Sequence, residues 1–468
     1  MLTINDGHQG ISRRKLLTIG SLGLGGLSLP TLFASKASAS GSESGAVTGK
    51  SVIFLFQQGG PSQFETFDPK PDAPSGIRTL TDTVQTSLPG VAFGEAMDRL
   101  SKLAHKLTVV RSYQTNNGGH NIQPIVGPDS LDTNIGAHYS RVVGATDRAT
   151  GTPTNAVIYP AAVSNDVLGP SARGNLAATG DYGKALAPFI PGAGGQLQKN
   201  MQVNLPHERF FDDRRALLSQ LDRLKREADS SGQYEALDDL RQQAYQLLLG
   251  GGVANALDLS QEDPATVARY DTARFARKGQ WDKAARGKRG YYTCQAATIG
   301  KLLLLARRLC EAGCGFVTIH AGYAGVWDMH ADGNNLNMVD GMQAVGRSFD
   351  HAVGAFVEDL EDRGLSDKIM LVASGEMGRT PRINRNGGRD HWSKLAPLLL
   401  YGGGIPGGRV IGQSTRDGSQ PATDNHTPQH LISTIMQTLF DAGQLRVTAG
   451  APPQVIKLAD GKPIAGVF

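Results

Sequence analysis

The stretch 368–401 reads KIMLVASGEMGRTPRINRNGGRDHWSKLAPLLLY, with two short apolar runs, 368–372 and 396–401, on either side of a glycine-rich polar segment. Continuous apolar runs of this length are typical of strands that are buried on both faces of a sheet. The polar segment contains Glu376, Asp390 and His391. Because a sheet fixes the backbone while its loops aim the side chains, these carboxylate and imidazole groups predict a divalent-metal site at the ends of strands.

Outside this stretch, apolar runs continue to alternate with helical patterns. Further strands are expected at 51–56, 107–110 and 315–319, and helices at 296–312, 339–363 and 428–442. Thr427 is a suitable N-cap for the last helix, and Gly443 a suitable terminator. The alternation predicts an α/β fold with a mostly parallel central sheet flanked by helices.

The domain organisation follows from changes in pattern along the chain. Leucines and alanines recur at helical spacing among charges in 206–249, which predicts a helical hairpin inserted into the α/β body. The segment 114–205 has little periodicity, so we expect either long functional loops or a poorly ordered region there. We therefore expect a flexible linker at 40–50 and a single domain at 51–468.

The first 39 residues have the pattern of a twin-arginine export signal. Arg13 and Arg14 precede an apolar stretch, and Ala37-Ser38-Ala39 resembles a cleavage site. Glycines and Pro30 make the stretch a poor membrane-spanning helix, so a signal that is removed is favoured over a retained anchor. We expect export to the periplasm or cell envelope, with no transmembrane segment after removal of the signal.

The charge balance excludes an extended nucleic-acid-binding surface. Residues 1–39 hold four of the 47 Lys and Arg and one of the 43 Asp and Glu, so the formal net charge falls from +4 to +1 without them. Arg382, Arg385 and Arg389 suit either a small anion or an ordinary surface loop. The three cysteines do not form a disulfide framework, and Cys310 and Cys314 are expected to be buried.

Four tracts of the sequence occur together. GGPSQFETFDPK at 59–70, WDMH at 327–330, GEMGRTP at 375–381 and GRDHW at 388–392 follow one another along the chain. They resemble the tracts GGPSxxDTFDPK, WDTH, EFGRTP and GRDHW of the exported bacterial family called Domain of Unknown Function 1501, over nearly the whole chain. That family is grouped by similarity with the alkaline phosphatase and sulfatase superfamily. The resemblance implies an alkaline phosphatase-like sheet with metals at the carboxyl ends of its strands.

The resemblance also implies roles for particular residues. Asp328 would supply part of one metal site together with His330 or Asp332, and His391 would complete that site. Glu376 stands where superfamily enzymes place an Asp-His pair. The metal ligands expected in all are Asp328, His330, Glu376, Asp390 and His391. The chain departs from the superfamily in having Gln57 and Gln58 in place of a first-strand aspartate and Met377 in place of a histidine, which puts a second metal in doubt. Glu65 stands where the family has Asp.

The remaining candidates would contact the substrate. Ser112 and Thr115 are candidate nucleophiles, and His120 is either a ligand or a general acid. Arg379 would neutralise charge in the transition state, while His320 and Arg389 would contact substrate. Asp328 could instead cap a turn, Arg379 could pair with Glu376, and His391 could be a packed core histidine. His426 could line the site or simply precede the last helix.

These observations leave two hypotheses. In the first, the chain is an exported metal-dependent hydrolase that cleaves a sulfate or phosphate ester, such as an ester carried by a polysaccharide. Its metal would be Zn or Mn, or Ca if the ligands are mostly carboxylates. In the second, the chain is a catalytically degenerate protein of the cell envelope that binds an anionic glycan or serves as a scaffold. A nucleophile within reach of the metal would distinguish them.

Overall fold

The structure is a computed structural model that describes residues 45–147, 150–169, 171–192, 252–276, 281–321 and 323–468. The predicted export signal at 1–39 and the predicted helical hairpin at 206–249 lie outside these residues. Of the predicted linker at 40–50, residues 40–44 also lie outside them. No helix of the described part has the length and apolarity needed to cross a membrane.

Seven strands form one central sheet. In chain order the strands of the described residues are β1 Ser51–Phe56, β2 Thr83–Gln85, β3 Ala92–Gly94, β4 Thr108–Val110, β5 Asn155–Ile158, β6 Phe316–His320, β7 Ile369–Ser374, β8 Gly378–Arg379, β9 His391–Trp392, β10 Leu398–Gly402 and β11 Arg409–Ile411. The central sheet has the order β11-β4-β10-β7-β1-β6-β5, while β2–β3 and β8–β9 form small separate pairs.

All strands of the central sheet except β10 run in the same direction. The pairs β1–β6, β1–β7, β5–β6 and β4–β11 are parallel. Strand β10 is antiparallel to both of its neighbours, β7 and β4. The prediction of a mostly parallel α/β sheet is thus confirmed, but the run at 396–401 is not one of the parallel strands. It returns from the carboxyl edge of the sheet, so the polar segment between β7 and β10 lies at that edge.

Helices cover both faces of the sheet. They are α1 Asp98–Lys102, α2 Ile135–Val143, α3 Gly252–Leu257, α4 Pro264–Arg269, α5 Arg286–Glu311, α6 Met338–Gly341, α7 Arg347–Asp362, α8 Pro428–Leu439, α9 Ala442–Val447 and α10 Pro453–Ala459. Alternate residues of β1 face opposite cores, as the two-residue period of a strand requires. Ile53 and Leu55 pack with α5 and α7, whereas Val52, Phe54 and Phe56 pack with α8 and α10.

Several helix boundaries differ from the predicted ones. Helix α5 begins ten residues earlier than the expected 296, where Tyr292 stacks on Trp281 at 5.5 Å between ring centroids, so tertiary packing outweighs the weak helical pattern there. The helix expected at 339–363 contains a π-helical segment, Met342–Gly346, between α6 and α7. Helix α8 ends at Leu439, and Gly443 does not terminate it because Gly443 lies within α9.

The segment 114–205 is more regular than expected where the structure describes it. It contains α2 and the edge strand β5, whose four residues are buried against β6. A loop at 111–134 precedes α2 and carries His120 to the carboxyl edge of the sheet. The three cysteines are free and buried, and burial had been predicted for Cys310 and Cys314.

Candidate metal centre

Four loops meet at the carboxyl edge of the sheet. They follow β1, β4 and β6, and the fourth joins β7 to β10. In this last loop β8 pairs with β9, placing Arg379 opposite His391. Gly59, at a φ of +121°, lies so close to the loop after β6 that a Cβ there would be 2.9 Å from the backbone nitrogens of Trp327 and Asp328. Glycine is therefore required for both conformation and space.

The Asp328 carboxylate is the centre of the site. It is 5% exposed. Its Oδ2 lies 3.0 Å from His120 Nε2, and its Oδ1 lies 2.7 Å from His330 Nε2 and 3.2 Å from His391 Nε2. The Nε2 atoms of His330 and His391 are 2.9 Å apart. One ligand atom each from His120, Asp328 and His391 lies within 4.8 Å of the others, which is the spacing expected around one metal ion.

The far nitrogen of each histidine is held by an oxygen. His120 Nδ1 lies 2.9 Å from Glu376 Oε1, His391 Nδ1 lies 2.9 Å from the carbonyl oxygen of Gly118, and His330 Nδ1 lies 3.2 Å from Asp390 Oδ1. A carbonyl oxygen can only accept, so His391 Nδ1 carries a hydrogen. His120 and His330 each lie between two carboxylates, so both nitrogens of these rings have an acceptor. A neutral ring with its hydrogen on Nδ1 points the Nε2 lone pair towards Asp328, whereas a protonated ring donates to that carboxylate.

Arg379 keeps Asp328 in its charged form. The guanidinium is fully buried and donates to Asp328 Oδ1 at 2.7 Å. Burial alone would raise the pKa of Asp328, but hydrogen bonds from the three histidines and the charge of Arg379 lower it far below its usual range. For His120, burial lowers the pKa and the carboxylates of Asp328 and Glu376 raise it, with a net upward direction.

The position of Arg379 differs from the predicted role at the transition state. Its Nε donates to the carbonyl oxygen of Gly60 at 2.7 Å, its Nη1 to that of Arg389 at 3.1 Å, and its Nη2 to that of Gly59 as well as to Asp328. With every side-chain nitrogen engaged and no exposed surface, Arg379 positions the Asp328 carboxylate and has no donor to offer a substrate.

The donor set fits a divalent transition metal. His120, Asp328 and His391 supply two imidazole nitrogens and a carboxylate, which suit Zn or Mn, and this nitrogen content argues against Ca. Glu376 and Asp390, expected as ligands, lie behind His120 and His330, where they fix the rings. Asp332 instead accepts the backbone N–H groups of Asn334 and Asn335 at 3.0 and 2.9 Å and caps its own loop.

The candidate nucleophiles are occupied elsewhere. Ser112 is fully buried, and its Oγ lies 2.9 Å from His426 Nδ1. His426 Nε2 accepts the N–H of Ala465 at 3.2 Å, so its Nδ1 carries the hydrogen and donates to Ser112. His426 therefore cannot act as a base towards Ser112. Thr115 is 4% exposed, and its hydroxyl donates to the carbonyl oxygen of Asn117 at 3.3 Å.

The two predicted substrate contacts are buried as well. His320, 1% exposed, lies with Nε2 3.1 Å from Gln58 Oε1. Arg389 has no exposed surface and forms an ion pair with Glu65 at 3.0 Å. Both therefore contribute to the framework under the site in this structure, and burial argues against direct contact with a substrate.

Two participants were not predicted from the sequence. The Gly118 carbonyl that orients His391 has no side-chain signal, although its GlyGly-His context marks a tight loop. Lys288, in the basic run RGKRG, lies next to the site: a Cβ built on Gly325 would be 3.2 Å from Lys288 Nζ and 4.0 Å from Asp328 Oδ2. Nothing in the sequence around Lys288 distinguishes it from its basic neighbours.

The fold is similar to those of several solved hydrolases. PsFucS1 sulfatase from Pseudoalteromonas sp. aligns at 11% identity and a TM-score of 0.35, covering 87% of this chain and 71% of that one. The phosphonate monoester hydrolase SpPMH from Silicibacter pomeroyi aligns at 10% identity and a TM-score of 0.31, covering 88% and 74%. TAB5 alkaline phosphatase aligns at 12% identity and a TM-score of 0.26, covering 78% and 94%.

Sequence comparison identifies the family but no characterised relative. A search of curated proteins gives no match. The family model described as "Protein of unknown function (DUF1501)" matches residues 49–468. This match spans nearly the whole chain, from just before β1 to the last residue, and the chain belongs to that family.

Proposed function

We propose that this protein is an exported metal-dependent hydrolase of a sulfate or phosphate ester. The observation that supports it best is the convergence of His120 and His391 Nε2 on the Asp328 carboxylate, with the far nitrogen of each ring fixed by an oxygen acceptor. A histidine cluster that served only packing would not need to bring the Nε2 atoms of several rings onto one carboxylate. A bound cation would remove the repulsion between the lone pairs of neutral rings and the Asp328 carboxylate.

A divalent ion held by these residues would supply Lewis acidity towards an ester oxygen and lower the pKa of water. The protein's part is to hold the ligands in place: Glu376 orients His120, the Gly118 carbonyl orients His391, and Arg379 keeps Asp328 ionised. Glu376 and Arg379 are fully buried, whereas the Gly118 carbonyl belongs to an exposed loop, and together these contacts orient the ligands before a substrate arrives.

We assign the attack on the ester to water, because the Ser112 and Thr115 hydroxyls are engaged elsewhere. His330 is the candidate general base. Its Nε2 faces the cluster, and its Nδ1 lies 3.2 Å from the carboxylate of Asp390, which can stabilise the ring once Nε2 has taken a proton. The His330 side chain is 19% exposed and so is open to solvent.

The substrate class and location rest on charge and on the N-terminal sequence. Arg382 and Arg385 are exposed on the loop between β7 and β10 and favour an anionic substrate such as a charged polysaccharide. The paired arginines at 13 and 14 support export to the periplasm or cell envelope.

A binding or scaffold role remains the second candidate. The engagement of both candidate hydroxyls favours it, since a site without a side-chain nucleophile could hold an anionic glycan without turning it over.

The test is metal content by elemental mass spectrometry on purified protein, with Asp328→Ala, His391→Ala and the control His105→Ala. His105 is exposed, and among side chains of the described residues its ring hydrogen-bonds only to Ser87, so its loss leaves the cluster intact. We expect near-stoichiometric metal in the wild type and in His105→Ala, and little in the other two.

Turnover of aryl sulfate and aryl phosphate esters would then be measured on the metal-loaded protein. Turnover that disappears in His330→Gln with metal retained supports hydrolysis by water with His330 as base. A folded wild type that takes up no metal on reconstitution overturns the hydrolase, and metal without turnover of either ester favours the binding role.

A further inference from the structure

Lys288 places a positive charge beside the candidate metal centre. It lies near the start of α5 and is half-buried. Within the part of the chain that the structure describes, its ammonium makes no hydrogen bond or ion pair. The Cβ position of Gly325 lies 3.2 Å from Lys288 Nζ and 4.0 Å from Asp328 Oδ2, so the ammonium and the carboxylate border the same space.

Lys288 differs from its basic neighbours: Lys283 and Arg289 are ion-paired, and Arg286 is exposed, whereas Lys288 is half-buried. Lys283 Nζ lies 2.6 Å from Asp340 Oδ2, and Arg289 Nη1 lies 3.1 Å from Asp282 Oδ1. Partial burial of an ammonium without a partner is unfavourable unless a ligand or water supplies the acceptor. Gly325, at a φ of +89°, leaves room for this ammonium, and any side chain there would meet it.

The charge balance of the site favours an anion next to Lys288. Without a metal, the two buried carboxylates of Asp328 and Glu376 are balanced by Arg379 and Lys288. A divalent ion would leave an excess of two positive charges among these groups, and Asp390, whose side chain is 60% exposed, would compensate only in part. An anionic group is the ligand that neutralises this excess.

We propose that the Lys288 ammonium binds a non-bridging oxygen of the sulfuryl or phosphoryl group of the substrate, and so determines specificity for an anionic ester. This inference rests on the proposed function. It requires no proton transfer or covalent step: Lys288 acts as a charged donor, on the side of the site where the helix α5 meets the loop after β6.

The experiment compares Lys288→Met with the matched control Lys283→Met, which removes an ammonium from the same segment but one paired with Asp340. Metal content is measured first. Inorganic phosphate and sulfate are then titrated into the metal-loaded proteins by isothermal calorimetry. Removing one charge-assisted donor is expected to weaken anion binding by about 10- to 100-fold. Lys283→Met should bind the anion as the wild type does.

The readouts separate the two proposals. A wild type without metal overturns the proposed function and this inference with it. Equal metal content with equal anion affinity in wild type and Lys288→Met overturns the role of Lys288 alone. A selective loss of anion affinity in Lys288→Met, restored by Lys288→Arg, supports the role of Lys288.

Discussion

Replacing Glu65 by Gln is expected to destabilise the protein far more than the loss of an exposed ion pair. Glu65 and Arg389 have no exposed surface, and their Oε1 and Nη2 atoms are 3.0 Å apart. Glu65 also accepts from Ser62 Oγ and from the N–H of Leu80. The substitution would leave the Arg389 guanidinium buried without a counter-charge.

The magnitude follows from what remains around Arg389. Removing one partner of a buried ion pair typically costs about 3 to 5 kcal/mol. Four carbonyl oxygens would still accept from the guanidinium, those of Ile77, Arg78, Thr380 and Pro381. We therefore expect the lower end, about 3 kcal/mol. Since the unfolding entropy grows with length, this corresponds to a Tm decrease of about 3 °C for a domain of this size.

The assay is differential scanning calorimetry of Glu65→Gln beside the control Asp98→Asn. Asp98 forms an exposed i,i+4 pair with Lys102 at 2.7 Å, with side chains 62% and 69% exposed, so its loss should cost less than about 0.5 kcal/mol. If the Tm of Glu65→Gln equals that of Asp98→Asn, the ion pair does not hold the loop between β7 and β10 in the way described, and the reasoning is refuted.

Three further predictions follow from other parts of the structure. Glu376→Gln should weaken Zn or Mn binding by roughly 10- to 100-fold, because the new amide can donate to His120 Nδ1 and so shift the ring hydrogen of His120 to Nε2. Calorimetric titration of metal into the folded variant checks this, and an unchanged affinity would contradict it. Burial alone would raise the pKa of Glu262, but the charges of Arg307, Arg308 and Arg363 lower it to about 2. Glu262 therefore contributes stability that is present above pH 4.5 and is lost as the pH falls through about 2. Thermal melts of Glu262→Gln should accordingly show a loss of about 2 to 3 kcal/mol at neutral pH that shrinks towards pH 2, and a pH-independent difference would argue against this ion-pair network. Ser112→Ala should keep the wild-type metal content and ester turnover but lose about 1 to 3 kcal/mol of stability, because the buried His426 N–H loses its acceptor. Loss of turnover with an unchanged Tm would instead indicate that Ser112 is a nucleophile.

The sheet could be predicted because its strands carry their signal locally. Ile53 and Val372 lie in apolar runs that are buried on both faces, and such runs are visible without knowing their neighbours. The antiparallel direction of β10 was not predictable in this way, because direction depends on how the loop between β7 and β10 folds back. Strand β5 was missed because its four residues lie in a segment rich in Gly, Pro and Asn, and its pairing with β6 stabilises it.

The candidate site was predicted in part. The residue types and their tracts predicted roles for Asp328, His330 and His391, which the structure brings together, and left His120 open between two roles. Whether a carboxylate binds a metal or orients a histidine depends on a few ångströms, so Glu376 could not be assigned from order along the chain. The engagement of Ser112 by His426 joins positions 314 residues apart, which no local pattern shows.

The separation of the ligands along the chain bears on when the site forms during folding. His120 lies 208 positions from Asp328 and 256 from Glu376, while Asp328 and His391 are 63 apart. Closing such long loops is entropically costly and occurs after local contacts have formed, so the ligands should come together only on the native side of the folding barrier. Metal should then slow unfolding and leave the folding rate unchanged, because an interaction that is absent from the transition state stabilises only the native state.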